Sequence, residues 1–359
     1  MKAKRIDYIL LFPILVLFGI GLIMVYSASP VIGGKAVQVF QKQLIAGSLG
    51  LLLMTVATKI PYNVYRQKMI WYPMYILAVA LLIAVLFQRP LNGATRWFVF
   101  PFFTLQPLYF AMFVVVTFVS AHVSRDMTSV EAWKKALVQI ALHVGFILLL
   151  LGSQPDFGNL MILAGITGIL LFLANIPMRL VIVGVFSVLI FATAFISLSG
   201  YRRSRVLSYL YEESYQTREA AKAIASGGLL GAGIGQGKRR LGYLPEANSD
   251  FIFSALAEDM GFFGTFVVLS MYLFIFGRGL IVLSAVPCKF ARLLGSGILF
   301  LIVAQAIVNI SVNLTLLPNK GLPLPFISAG GSALIFTLAS YGVLLNISRY
   351  RQLENTIEA

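Results

Sequence analysis

Residues Leu180–Ser199 read LVIVGVFSVLIFATAFISLS, and residues Leu137–Leu151 read LVQIALHVGFILLLL; neither stretch contains a formal charge. About twenty mainly apolar residues is the length a helix needs to cross the hydrocarbon of a bilayer. These runs are unbroken rather than alternating, so they read as helices and not as the ten-residue strands of a membrane barrel. Working outward, the 359-residue chain is 59% apolar, only 11% charged, and has a mean hydropathy of +0.90. A soluble domain carries about 25% charged residues. A globule of this size could not hide so much apolar surface from water, so its solvent is lipid. The same composition excludes a disordered chain. Cys288 is the only cysteine and His122 and His143 the only histidines, which excludes a disulfide scaffold and a metal site built on Cys/His clusters.

Ten spans are predicted, at roughly 8–26, 39–58, 69–87, 105–122, 136–151, 159–175, 178–199, 251–277, 291–316 and 326–347. The first is too long for a signal-peptide apolar core and is expected to remain as a helix. The fold class is therefore an all-α polytopic membrane protein, with residues 1–359 forming a single transmembrane domain. Ten spans put both termini on one side. With the N-terminus inside, fifteen basic residues fall on the cytosolic face: Lys2, Lys4, Arg5, Lys59, Arg66, Lys68, Arg125, Lys134, Lys135, Arg179, Arg278, Lys289, Arg292, Arg349 and Arg351. The short outer loops hold five, namely Lys35, Lys42, Arg89, Arg96 and Lys320. That asymmetry is the positive-inside rule and supports N-in, C-in. Trp71, Trp97 and Trp133 fall at span ends, as interfacial belt residues do.

The net charge of +15 is not explained by topology alone. Eight further basic residues lie in one outer segment of about fifty residues, 200–250: Arg202, Arg203, Arg205, Arg218, Lys222, Lys238, Arg239 and Arg240. Connections of that length are functional or disordered, and the Tyr, Leu and Pro content argues for order. Tyr215–Ser226 reads as a short helix whose polar face (Arg218, Glu219, Lys222) lies along the membrane surface. A glycine-rich stretch follows, with seven glycines from Gly227 to Gly242. It is not a phosphate loop: Ala232 and Arg239 stand where a Walker pattern ending at Gly237-Lys238 needs Gly and Ser/Thr, and no G-x-G-x-x-G occurs. What remains is flexible backbone beside three consecutive cations, which suits a pyrophosphate. The plainer alternative is a re-entrant turn whose cations bind lipid headgroups.

Asp250 sits at the mouth of a span, just before Phe251-Ile252-Phe253. Burial raises a carboxylate's pKa and nearby arginines lower it, so the position can poise a general base. The alternative is a helix cap, for which Asn248-Ser249-Asp250 is a suitable sequence. Glu246 is a second candidate. Glu258 and Asp259, further into the span, are either buried partners for another helix or functional, as intramembrane carboxylates often are. Pro318-Asn319-Lys320-Gly321-Leu322-Pro323-Leu324-Pro325-Phe326-Ile327-Ser328-Ala329-Gly330-Gly331-Ser332 reads as a re-entrant or broken segment, tolerated only against protein or a water-filled cavity. His143, in mid-span, reads as a satisfied helix–helix contact. These features point to an anionic substrate reached from the lipid phase and leave open whether it is transported or altered.

Leu244-Pro245-Glu246-x-x-Ser249-Asp250-Phe251-Ile252-Phe253 and Pro318-x-Lys320-Gly321-x-x-Leu324-Pro325-Phe326-Ile327-Ser328-x-Gly330-Gly331-Ser332 strongly resemble motifs of the SEDS family (shape, elongation, division and sporulation). Gln154-Pro155-Asp156-x-Gly158 and Asn92-Gly93-x-x-Arg96-Trp97 resemble two more, in the family's order, and the glycine stretch resembles the division (FtsW) branch more than the elongation (RodA) branch. The resemblance implies a peptidoglycan glycosyltransferase that polymerises lipid II into glycan strands beside a class B penicillin-binding protein and other division or elongation proteins. It implies the bacterial cytoplasmic (inner) membrane, a multi-pass topology with the site facing outside, and no role for nucleic acid. It implies Asp250 as the catalytic base of an inverting transfer that releases undecaprenyl diphosphate. Arg202, Arg203, Arg205, Lys238, Arg239, Arg240 and Lys320 would hold the substrate's charge, with Arg96, Asp156, Glu246 and Ser328 also in the substrate site. It implies no cofactor and leaves a divalent cation open. A lipid II flippase and a non-catalytic scaffold are the competing readings.

This chain departs from the family pattern in three places. Asn248-Ser249 replaces His-Thr, and Ala329 and Ala333 replace a tyrosine and a serine. After Gln106-Pro107 it has Leu108-Tyr109 and Met112, where the family has Ser-Glu and a lysine. Loss of both charges together points to a missing structural ion pair rather than to missing chemistry.

Overall fold

A computed structural model describes residues 6–29, 35–89, 95–100, 103–125, 130–154, 156–180, 182–184, 186, 215–237, 244, 246–318 and 321–351. The described chain is mostly helical: α1 (Tyr8–Ala28), α2 (Lys35–Lys59), α3 (Lys68–Ala84), α4 (Leu108–Val123), α5 (Val130–Ser153), α6 (Phe157–Leu173), α7 (Tyr215–Gly227), α8 (Ile252–Ser284), α9 (Lys289–Asn313) and α10 (Gly331–Ser348). Seven of these, α1, α2, α3, α5, α8, α9 and α10, are long and apolar enough to span a membrane; α4 and α6 are shorter apolar helices. Most of the expected span 178–199 lies outside the described residues.

Caps and polar rungs explain the ends and seams. Asp7 caps α1 by accepting from Ile9 N at 3.1 Å, and Asp156 caps α6. α9 is the enclosed centre, packed on α4, α6, α8 and α10, with Leu294, Leu299 and Ile302 buried. Ile45, Leu52, Phe266 and Leu273 point outward, as lipid-facing side chains should. Between helices in lipid there is no hydrophobic drive, so close packing and hydrogen bonds must hold the seam. On α2 and α10 that seam is Gly342, where any Cβ would strike the Met54 backbone, flanked by Thr58 and Asn346. Asn346 Nδ2 donates to Thr58 O at 2.8 Å, and Asn346 Oδ1 accepts from Tyr62 N at 3.0 Å.

Four expectations change. The span expected at 251–277 runs on to Ser284 and is broken at Gly261, whose φ of 64° and ψ of −160° are not helical. The span expected from 326 is helical only from Gly331, because residues 325–329 form turns and bends. The helix at Tyr215 does not present Glu219 to solvent. Its small face, Ala220, Ala223 and Gly227, packs on α8, and Glu219 is 5% exposed with Lys222 Nζ 2.7 Å from its Oε1. A short helix with that many small residues can approach another helix closely, which outweighs its polar face. Trp71 is buried against Phe118 and His122 rather than set in an interfacial belt. His143 joins the same aromatic cluster, with Tyr75 Oη donating to its carbonyl at 3.1 Å.

Candidate functional site

The site forms where four loops meet at one end of the bundle. A two-stranded antiparallel hairpin, β1 (Phe98–Val99) and β2 (Thr104–Leu105), follows Arg96 and pairs Phe98 with Leu105. It is tied to the start of α10, since Gln106 N donates to Ser332 Oγ at 3.0 Å and that hydroxyl donates to Thr104 O at 2.9 Å. The turn 246–250 lies against the proline-rich segment: Ser328 Oγ donates to Ser249 O at 2.6 Å and accepts from Leu324 N at 2.7 Å, and Ala329 N donates to Asn248 O at 2.8 Å. Asn248 Nδ2 donates to Ser29 Oγ, just past the end of α1, at 3.1 Å. Glu246 turns the chain with φ +55°, a conformation that non-glycine residues seldom adopt.

Asp250 is not a cap. The N-cap of α8 is Phe251, with no side-chain hydrogen bond. The backbone carbonyl of Asp250 is held instead, by Asn309 Nδ2 and Asn313 Nδ2, each at 2.9 Å. Among the described residues its carboxylate accepts no hydrogen bond; a Cβ at Gly321 would sit 3.5 Å from Oδ2. The group is half-buried. Burial first, and the neighbouring Glu246 charge second, push its pKa up to about 7, while Arg96 pulls it down. A carboxyl that titrates near neutrality is suited to accept a proton at working pH.

Arg96 links the parts. Its Nε donates to Gln154 O at 2.9 Å, and Nη1 lies 4.0 Å from Asp156 Oδ1. Asp156 is 1% exposed and also receives Asn159 Nδ2 at 3.0 Å. Of the expected site residues, the structure thus brings Arg96, Asp156, Glu246, Asp250 and Ser328 to one end of the bundle. Asp156 and Ser328 are buried with their polar atoms engaged internally, whereas Glu246 is exposed and accepts from Ser249 Oγ at 2.8 Å. Arg202, Arg203, Arg205, Lys238, Arg239, Arg240 and Lys320 lie outside the described residues. Among the described residues no cluster of three His, Cys, Asp or Glu could hold a metal ion. Asn309 and Asn313 belong to no expected motif, yet two amides one turn apart in an apolar span are a signal of their own.

The positions where the resemblance implies a charged pair carry neutral side chains here. Tyr109 and Met112 are buried on one face of α4, lining a small cavity with Gln305 of α9 and Thr337 and Ser340 of α10. Gln305 Nε2 donates to Met112 Sδ at 3.5 Å. Tyr109→Glu or Met112→Lys alone should destabilise the protein by about 3 kcal/mol, because each buries an unpaired charge. The double variant should recover most of that loss in a thermal-unfolding cycle. Additive penalties would show that the two positions do not form a pair.

Residues 8–353 match the model of the FtsW/RodA/SpoVE family, described as cell cycle protein. A probable peptidoglycan glycosyltransferase FtsW of Geobacter metallireducens is 34% identical over 362 residues, covering 97% of this chain and 96% of that protein. The corresponding protein of Trichlorobacter lovleyi is 32% identical over 360 residues, covering 97% and 94%. Among solved structures, the rod shape determining protein RodA of Thermus thermophilus superposes with a TM-score of 0.72 at 28% identity, covering 97% of this chain and 98% of that one. A chain from a peptidoglycan synthase complex that coordinates polymerization and crosslinking superposes at 0.78 with 29% identity, covering 97% and 99%.

Proposed function

The chain belongs to the FtsW/RodA/SpoVE (SEDS) family of cell cycle proteins, and on that premise we propose that it is a peptidoglycan glycosyltransferase of cell division that polymerises lipid II. It is a multi-pass protein of the inner membrane, with the loop end of the bundle facing outside and both termini inside. The basic residues of the inner loops support that orientation. A clasp at the opposite end, where Asp7 near the N-terminus meets Arg278 Nη2 at 2.7 Å and Arg351 near the C-terminal end, supports both termini lying on one side.

The observation that carries the mechanism is Asp250: a carboxylate outside the span, free of capping, with its pKa pushed up to about 7. In the proposed step, an acceptor sugar hydroxyl oxygen forms a bond to the anomeric carbon of the donor, and the bond from that carbon to the lipid diphosphate breaks. The hydroxyl proton passes to the Asp250 carboxylate, and the configuration inverts. Charge developing on the departing diphosphate is met by Arg202, Arg203, Arg205, Lys238, Arg239, Arg240 and Lys320, since preorganised cations lower such barriers strongly. Asp156 and Ser328 act on this site indirectly, Asp156 by orienting Arg96 and Ser328 by fixing the turn before Asp250. Glu246 keeps Asp250 from ionising too readily. A class B penicillin-binding protein is the proposed partner.

Purified full-length protein supplied with lipid II, with and without such a partner, should yield glycan polymer. No polymer under either condition refutes the reading. The pH profile offers a finer check. Activity should rise through about pH 7 as Asp250 becomes a free base. Glu246→Gln removes a repelling charge and should move this acid limb down by about half a pH unit, whereas Arg96→Gln should move it up by a similar amount. Shifts in the same direction for both variants would contradict the electrostatic arrangement.

A further inference from the structure

The turn that carries Asp250 leans on the segment 328–330, and that segment leans on one amide of α2. Gln43 stands at the end of α2 nearest the site, on a buried face it shares with Ala46, Gly47, Gly50 and Met54, while Leu44, Ile45, Leu49 and Leu52 point outward. The small residues of that face bring α2 close to its neighbours: a Cβ at Gly47 would strike the Phe18 ring, and one at Gly50 would lie 2.7 Å from Leu338 Cδ1. Gln43 itself is 3% exposed. Its Nε2 donates to Ser328 O at 2.9 Å, and its Oε1 accepts from Gly330 N at 3.4 Å. The side chain thus brackets Ala329, offering a donor and an acceptor as a neighbouring strand would. Residues 325–329 form turns and bends, and irregular backbone at membrane depth must find such partners within the protein.

The remaining groups of the same residues hold the turn. Ser328 Oγ donates to Ser249 O and Ala329 N donates to Asn248 O, so both carbonyls just before Asp250 are fixed by residues that Gln43 grips. The direction of a side chain is set by the two peptides that flank its Cα. For Asp250, the following peptide is tied to α9 through Asn309 and Asn313. The preceding peptide is tied only to the segment that Gln43 holds. That segment has little else to fix it. Up to Ile327 it is wedged against α1, where a Cβ at Gly21 would strike the Ile327 backbone. Beyond Ser328, Ala329-Gly330-Gly331 carries no side chain larger than a methyl group, so packing restrains it weakly and the bonds to Gln43 do more.

We propose that Gln43 is a positioning residue: by holding Ser328–Gly330 against α2 it fixes the peptide before Asp250 and so aims the carboxylate of the proposed base. The proposal rests on the glycosyltransferase reading, and its test separates the two. The groups facing that carboxylate are Glu246 from the same turn, Arg96 from the loop before β1 and Tyr109 from the start of α4. In detergent-solubilised full-length protein, Gln43→Met keeps the length of the side chain and loses both bonds. It should speed hydrogen exchange about tenfold in peptides covering 326–331 and 247–251 alike. Gln43→Asn, one methylene short of Ser328, serves if the first variant folds poorly. With lipid II, either variant should lower kcat about tenfold and change KM by less than about twofold. The acid limb of the pH profile should move down by about half a pH unit, because burial is the first cause of the raised Asp250 pKa and a loosened turn admits water. Exchange that is unchanged, or faster only in 326–331, overturns the coupling to the turn. A limb that stays in place, or a loss that falls on KM, overturns the positioning role and makes Gln43 merely structural. Faster exchange in both peptides of a protein whose wild type makes no polymer refutes the glycosyltransferase reading, and the aiming of the base with it, while the coupling of the two segments stands.

Discussion

Asp250→Asn should lower glycan polymerisation by about 10²- to 10⁴-fold, the usual contribution of a positioned general base. The substitution keeps the shape of the side chain and removes only its ability to take a proton. Lipid II binding should survive, because the proposed mechanism has the basic residues, and not this carboxylate, meet the diphosphate. A flippase needs no such base and would be indifferent to the change, so retained polymerising activity would defeat the assignment. Stability supplies an independent check. The Asp250 pKa stands at about 7 in the fold against an ordinary 3.8, so the folded state keeps the proton longer than the unfolded one. The aspartate's contribution to stability is therefore complete below about pH 4 and is lost as the pH rises to about 7. Asp250→Asn should raise Tm at pH 8 and leave it nearly unchanged at pH 4. A lower Tm at pH 8 would mean that the carboxylate is held by favourable partners, contrary to its poised state.

How much of this was legible in the sequence depends on the kind of contact. Long apolar runs such as Leu137–Leu151 announce helices in lipid because only length and composition decide that outcome. Asp250 stood out as a carboxylate at a span mouth beside a proline-rich break, and the structure places it opposite Gly321 in that break. The glycine stretch was legible only as flexible backbone. Its fit to α8 depends on backbone-to-backbone contacts between Gly227–Gly231 and residues 257–262, about thirty positions apart in the chain, and no side-chain pattern encodes them. Gly261 falls inside the expected span 251–277 with no neighbouring signal to mark it, yet it breaks the longest helix. Trp71 misled for a related reason. An indole at a span end suits the interface, but aromatic partners on α4, Phe118 and His122, were close enough to bury it. Asp156 and Ser328 were expected in the substrate site, and what the structure shows is that Ser328 bonds the turn before Asp250 and Asp156 lies beside Arg96. Which of them faces a ligand and which faces inward is a matter of tertiary hydrogen bonds.

The second large effect is expected at Asn313, which no motif contains. Its side chain is fully buried and joins three elements. Oδ1 accepts from Ser254 N at 3.0 Å and from Ser254 Oγ at 2.7 Å, while Nδ2 donates to Asp250 O and to Asn309 O, each at 2.9 Å. The first two bonds satisfy the start of α8, where helix amides lack partners within their own helix. The third fixes the backbone of the proposed base. Asn313→Leu keeps the volume but strands these groups away from water, at about 1–3 kcal/mol for each one left unpaired, so a loss of about 5 kcal/mol in unfolding free energy is expected. Asn313→Asp should be nearly as damaging despite its small change in shape. It retains the acceptor for Ser254 but turns a second oxygen toward two carbonyls, and it buries a charge. Ser254→Ala removes only one donor and should cost about 1 kcal/mol. If Asn313→Asp instead proved as mild as Ser254→Ala, the Nδ2 bonds to Asp250 and Asn309 would be dispensable. The turn carrying Asp250 would then have to be held chiefly by Ser328 and Asn248, and Ser328→Ala should become the more harmful change.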